Sequence, residues 1–133
     1  LTVTATIAAP LERVWECWTD PAHITQWAFA SDDWEAPSAE NDVRTGGTFK
    51  TVMAAKDGSA SFDFSGTYTD VRPLELIEYD MEDGRHVKTT FEKTDDGVVI
   101  TQTFDPEGEN PDDVQIAGWQ ATLDNFKKHT ESH

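Results

Sequence analysis

Apolar and polar residues alternate with a period of two along most of this chain, and the period lengthens to that of a helix mainly near its two ends. Thr2 to Ile7 places Val3 and Ile7 among threonines and alanines, the pattern of a half-buried strand. Leu11, Val14, Trp15 and Trp18 then recur at helical spacing, with Pro10 suited to a first helical position and Glu12 to the first turn. Thr19-Asp20-Pro21 predicts the end of that helix and the start of a second short one through Ile24 to Trp27. Residues 28–46 lack a clear period and predict a structured loop with one short strand. Strands are predicted over Thr48–Ala54, Ala60–Val71, Glu75–Met81, His86–Lys93 and Val98–Phe104. Asp-Gly pairs at three of the four junctions between them are hairpin signals, because glycine reaches the positive φ that tight turns demand. Asn110-Pro111-Asp112-Asp113 reads as a helix start with Asn110 capping, and Ile116, Trp119, Leu123 and Phe126 as the apolar face of a long final helix.

Strands in the middle and a long helix at the end predict an α+β fold: a curved antiparallel sheet wrapped around the C-terminal helix, with two short helices after the first strand. The large residues of one strand parity, Phe49, Met53, Phe62, Phe64, Tyr68, Ile77, Tyr79, Met81, Val87, Phe91, Ile100 and Phe104, should face Trp119, Leu123 and Phe126. Two readings stand for this layer: a completely filled core, or the lining of a pocket for a flat or ring-bearing apolar ligand. Gly118 lies in mid-helix at a cost of about 1 kcal/mol relative to alanine. It provides either close approach of helix to sheet or room for a ligand.

Composition narrows the partners. The 133 residues carry 26 acidic against 10 basic side chains, a formal charge of −16. That repels phosphate backbones and anionic headgroups, so nucleic acid and membrane surfaces are poor partners. The acidity fits a well-solvated surface or a salt-rich habitat. Residues 1–133 are expected to form a single domain, cytoplasmic, monomeric or homodimeric, with no membrane insertion. Cys17 is the one cysteine and is expected to be an inert buried thiol without partners at metal-ligand spacing.

No catalytic signature is present. His23, His86, His129 and His133 show no zinc-helix spacing, and the last two fall in an expected frayed tail. There is no nucleophile elbow, phosphate loop or dinucleotide fingerprint, and neither a cofactor nor a metal is expected. Gln102 shares parity with Ile100 and Phe104, which puts an amide among apolar neighbours; a ligand, a water or a hydroxyl such as that of Tyr68 would satisfy it. Glu78 has the parity opposite to Ile77 and Tyr79, the mark of a solvent-facing carboxylate unless a bulge reverses it. Arg44 either clamps a ligand carboxylate or pairs with Asp42 to pin its loop. Trp27 and Trp34 form a lid or anchor the same segment. His86 next to Arg85 reads as a surface strand residue.

The ordered words Ile7-Ala8-Ala9-Pro10-Leu11-Glu12-Arg13-Val14-Trp15, Trp27-Ala28-Phe29-Ala30-Ser31-Asp32-Asp33-Trp34, Asn41-Asp42-Val43-Arg44-Thr45-Gly46-Gly47, Phe62-Asp63-Phe64-Ser65-Gly66-Thr67-Tyr68 and Gly118-Trp119-Gln120-Ala121-Thr122-Leu123-Asp124-Asn125-Phe126 span nearly the whole chain. They resemble the START-like (SRPBCC) superfamily, of Bet v-like fold, in the branch named after the activator of the heat-shock-protein-90 ATPase and related to polyketide cyclases. The resemblance implies a helix-grip architecture with a deep cavity between the concave sheet and the C-terminal helix. Ligand-binding candidates are then Trp18, Trp34, Phe49, Met53, Phe64, Tyr68, Met81, Phe91, Gln102, Gly118, Trp119 and Leu123, with Arg44 and Glu78 as polar anchors. Three functions follow as expectations: carriage of a small hydrophobic molecule, an enzyme of the cyclase or hydrolase kind, and a chaperone-associated interaction module. Function must be decided at the site, because one fold serves many activities.

Overall fold

The computed structural model describes residues 1–132, and His133 lies outside the described residues. The elements are β1 (Thr2–Ile7), α1 (Leu11–Thr19), α2 (Pro21–Trp27), β2 (Trp34–Asn41), β3 (Thr48–Ala55), β4 (Ser61–Arg72), β5 (Leu76–Met81), β6 (His86–Thr94), β7 (Gly97–Phe104) and α3 (Asp112–Ser132). The strands form one seven-stranded sheet in the order β1-β7-β6-β5-β4-β3-β2, antiparallel throughout. Strands β2 to β7 are a continuous meander, and β1 adds to β7 with Ala5 opposite Ile100. The pair α1–α2 therefore carries the chain from one edge of the sheet to the other.

Three of the turns follow from their glycines. Gly58 at φ 79° and Gly84 at φ 92° close the β3–β4 and β5–β6 hairpins, each donating its N–H back, to Ala55 and Met81 respectively. Gly97, at φ 131°, has a second reason to lack a side chain: a Cβ there would sit 2.1 Å from the carbonyl oxygen of Ile7. Strand β2 is the strand expected within residues 28–46, eight residues long and at the sheet edge, its register shifted between Glu35 and Ser38 around Pro37. Proline cannot donate to a ladder, which confines it to edges and bulges.

The final helix begins differently from the expectation. The first helical bond runs from the Gln115 N–H to the carbonyl of Pro111, so Pro111 takes the capping position. Asn110 turns its amide to the Glu107 carboxylate instead. Gln115, buried, then organises the segment before the helix: its Oε1 accepts from the Glu107 N–H at 2.8 Å and its Nε2 donates to the Asn110 carbonyl at 2.8 Å. The core lies between the concave sheet face and the helices, with Ile7, Val14, Cys17, Ile100 and Phe126 fully buried. Trp18, Trp27 and Phe126 form one aromatic knot joining the three helices, with ring centroids 4.8 to 5.0 Å apart. Among the described residues no helix is long and apolar enough to cross a membrane.

Candidate functional site

Strand parity aims Phe49, Thr51 and Met53 of β3, Phe62, Phe64 and Tyr68 of β4, Ile77, Tyr79 and Met81 of β5 and Gln102 of β7 at one concavity, which α3 covers with Val114, Gly118, Trp119, Thr122 and Leu123. The space left is a cavity of about 660 Å³, closed at the α1–α2 end by Trp18, Ile24, Trp27 and Phe29. The layer is thus not a filled core at this end of the molecule. Its wall is aromatic: Phe49 packs against Tyr79 at 4.7 Å and Tyr68 at 5.2 Å, and Phe64 reaches Trp119 across the cavity at 6.2 Å. Trp119 in turn stacks on Phe104 at 4.1 Å with the ring planes 11° apart. Gly66 lets Phe49 lie over β4, since a Cβ there would meet the ring at 3.0 Å. At Gly118 a Cβ would meet no atom within 4 Å, so close approach of helix to sheet is not its use. Phe62 and Val114, about half exposed, stand at the rim with the acidic residues Asp63, Glu82, Asp83 and Glu107.

Few polar groups reach this space. The Tyr68 hydroxyl donates to Oδ1 of Asn41, whose Nδ2 ties back to the Thr19 carbonyl at 2.8 Å and so anchors the end of α1 to β2. Gln102 lies opposite Thr89 in the ladder and donates to its hydroxyl at 3.3 Å, not to Tyr68; its Oε1 has no partner among the described residues. The Tyr79 hydroxyl makes no hydrogen bond to any described residue although the side chain is 92 % buried, and burial pushes its phenol well above the ordinary value. Arg85 lines the cavity and is bound through Nε to Asp83 at 2.8 Å, while its Nη groups bond no described residue. That pairing, with the Arg85 N–H on Asp83 Oδ1, holds the Asp83 carboxyl below its usual range.

Three expected site residues lie elsewhere. Phe91 is buried, but its place opposite Ile100 puts it beneath α1, where Trp15 and Trp18 cover it at 5.3 and 5.6 Å. Arg44 is 68 % exposed and bonds Asp42 at 2.9 Å, pinning the turn before Gly46 at φ 87°. Glu78 is on the convex face: the bulge nearby lies in β4, between Tyr68 and Asp70, and leaves the alternation of β5 intact. There it pairs with His86 Nε2 at 3.0 Å while Asp80 holds Nδ1 at 2.7 Å. The two carboxylates, Asp80 first, raise the pKa of His86 above 6.5. Trp27 is an anchor, with its Nε1 donating to the Cys17 carbonyl at 2.9 Å, and Trp34 packs on Phe62 at 5.7 Å. Arg85, immediately before β6, lines the cavity, which Arg44, exposed in its turn, does not.

A second cluster lies outside what the spacing of cysteine and histidine predicts, and it overturns the frayed tail expected at His129. Helix α3 continues to Ser132, so His129 is buried and not frayed. Its Nε2 lies 2.9 Å from Nδ1 of His23 on α2. The donor atoms of Cys17, His23 and His129 all fall within 4.8 Å of one another. Sequence spacing hid this, because the three come from three different helices. Burial pushes the Cys17 thiol up, away from a reactive thiolate.

The comparisons agree with the architecture. The profile of the family described as Activator of Hsp90 ATPase homolog 1-like protein matches residues 8–131. An AHSA1-like protein from Aeromonas hydrophila, solved by NMR, is 42 % identical with a TM-score of 0.94, covering 99 % of this chain and 92 % of that one. A protein from Cytophaga hutchinsonii is 51 % identical with a TM-score of 0.85, over 98 % and 91 % of the two chains. A Nitrosomonas europaea protein at 19 % identity and TM-score 0.84, over 99 % of this chain and 94 % of that one, shares the fold. No curated protein matches. With the helix-grip fold in place and the family profile matched over residues 8–131, the chain belongs to the Activator of Hsp90 ATPase homolog 1-like family, within the START-like superfamily.

Proposed function

We propose that this chain, acting as one domain, binds a small amphipathic molecule between its sheet and α3, the apolar body against Phe49, Phe64 and Trp119 and an oxygen-bearing end toward Arg85, Tyr79 and Gln102. The observation that carries the reading is the aromatic-walled cavity of about 660 Å³, within the usual range for small-molecule sites and provided with a few converging polar groups. Apolar contact supplies affinity in proportion to the area removed from water, at roughly 25 cal/mol per Å². The Tyr79 hydroxyl and the Arg85 Nη groups, without a partner among the described residues, supply orientation, because each can donate to a ligand without giving up a bond within the protein.

An enzyme of the cyclase or hydrolase kind is the second reading, favoured by the convergence of Tyr79 and Arg85. Both are donors suited to polarising a carbonyl that enters the cavity. Carriage stands ahead of it because no described histidine or carboxylate bonds the Tyr79 hydroxyl, and a phenol whose pKa burial has raised is a poor base at neutral pH.

The test is a thermal-shift screen against fatty acids, sterol-like rings and aromatic polyketides, each as the carboxylate or phenol and as a neutral counterpart. A ligand specific for the folded chain at about 100 times its Kd adds roughly 2.7 kcal/mol, a shift a melting curve resolves. Stabilisation by the oxygen-bearing members, weakened in Arg85→Met, is expected. No shift from any class overturns the reading. Turnover of a hit would transfer it to the enzyme reading.

A further inference from the structure

We propose that Cys17, His23 and His129 form a transition-metal site for zinc, set between α1, α2 and α3 and separate from the binding cavity. A thiolate with two imidazoles is a donor set that zinc takes readily, and the three donors belong to side chains held by different helices. In a tetrahedral set the donors stand roughly 3.5 Å apart, so the two imidazoles need part by only about half an ångström to admit an ion. Their present separation is 2.9 Å and the trio spans at most 4.8 Å.

The surroundings support the same assignment. Nδ1 of His23 faces His129, while Glu16 Oε1 lies 3.5 Å from its Nε2. A metal on Nδ1 would leave Nε2–H to the Glu16 carboxylate, the outer partner that metal-binding histidines usually have. Thr130 is 98 % buried beside Cys17, close enough for its hydroxyl to interact with the thiol. A hydroxyl so placed can donate to a metal-bound thiolate as its outer partner. The chain supplies three ligands, which leaves a fourth position for water or another exogenous group. Binding would release the thiol proton and tie the three helices together.

The experiment is a titration of the reduced, intact chain with cobalt(II), followed by displacement with zinc(II). Expected are one equivalent bound, intense tetrahedral absorption and a thiolate-to-cobalt charge-transfer band that zinc abolishes. Cys17→Ser should remove the charge-transfer band. His23→Gln, at a half-buried position that a fold tolerates more readily, should abolish tight binding with an unchanged circular dichroism spectrum. Glu16→Gln, which leaves all three donors, should weaken affinity about tenfold. Weak octahedral absorption without charge transfer would mean an adventitious ion on the acidic surface only and would overturn the site. So would binding that His23→Gln leaves intact.

Discussion

Replacing Gly118 separates packing from ligand space in one experiment. Glycine in a helix interior is about 1 kcal/mol less favourable than alanine, and the usual reason to keep it is that a neighbouring backbone comes too close. Here a Cβ would meet nothing within 4 Å, so Gly118→Ala carries no steric cost to set against the propensity gain. The expected result is stabilisation by about 1 kcal/mol, or roughly 3 to 5 °C in Tm for a chain of this size. Gly118→Leu has nearly the same helix propensity but extends its side chain into the cavity beside Trp119 and Leu123. It should keep or raise the Tm and yet lose the ligand-induced shift. The assay is calorimetric or fluorescence melting of the three proteins with and without the best hit of the screen. A fall of about 1 kcal/mol or more in Gly118→Ala would refute the reasoning, because α3 would then pack against the sheet more closely than the geometry shows. Unimpaired ligand binding in Gly118→Leu would refute the placement of the ligand without touching the stability argument.

Gly97→Ala should destabilise by about 3 kcal/mol in denaturant titration, since the new Cβ meets the Ile7 carbonyl at 2.1 Å and φ is 131°; a loss under about 1 kcal/mol would show that β1 can shift along β7. His86 should titrate by NMR above the value of 6.5 for an unperturbed imidazole, and Glu78→Gln with Asp80→Asn should return it there. Because its folded pKa is the higher one, the stabilisation is fully present below 6.5 and is lost as the pH rises through the folded value. With His86 41 % exposed, the dependence should be shallow and weaken with salt.

Period and punctuation were enough to place most elements of this fold. The period-two runs, the Asp-Gly turns and the twin helical stripes define themselves within a few residues, and the strands predicted over 48–104 match β3 to β7 within a residue or two at nearly every end. The exceptions are local competitions that sequence does not decide. Asn110 bonds Glu107, leaving Pro111 to cap, and the short strand expected within 28–46 extends over residues 34–41 because β3 offers a free edge to pair with.

Alternation tells which strand residues face inward, and Phe49, Met53, Phe64, Tyr68, Met81 and Gln102 line the cavity; Trp18, Gly118, Trp119 and Leu123, expected from the helices, and Trp34, expected from the irregular segment, line it too. Alternation could not tell which inward residues lie under a helix and which under empty space. Phe91 and Phe64 have the same parity, but α1 covers one and the cavity lies over the other. Nor could spacing along the chain reveal Cys17, His23 and His129 as neighbours, because their proximity depends on how three helices cross. The sequence by itself determined the strands, the helices and the faces they bury, since these depend on local periodicity and turn chemistry, whereas the pairing of β1 with β7 joins residues about a hundred positions apart. Only the tertiary structure decided where the space between the layers remains open and which distant donors meet, because both are set by the placement of α1, α2 and α3 on the sheet.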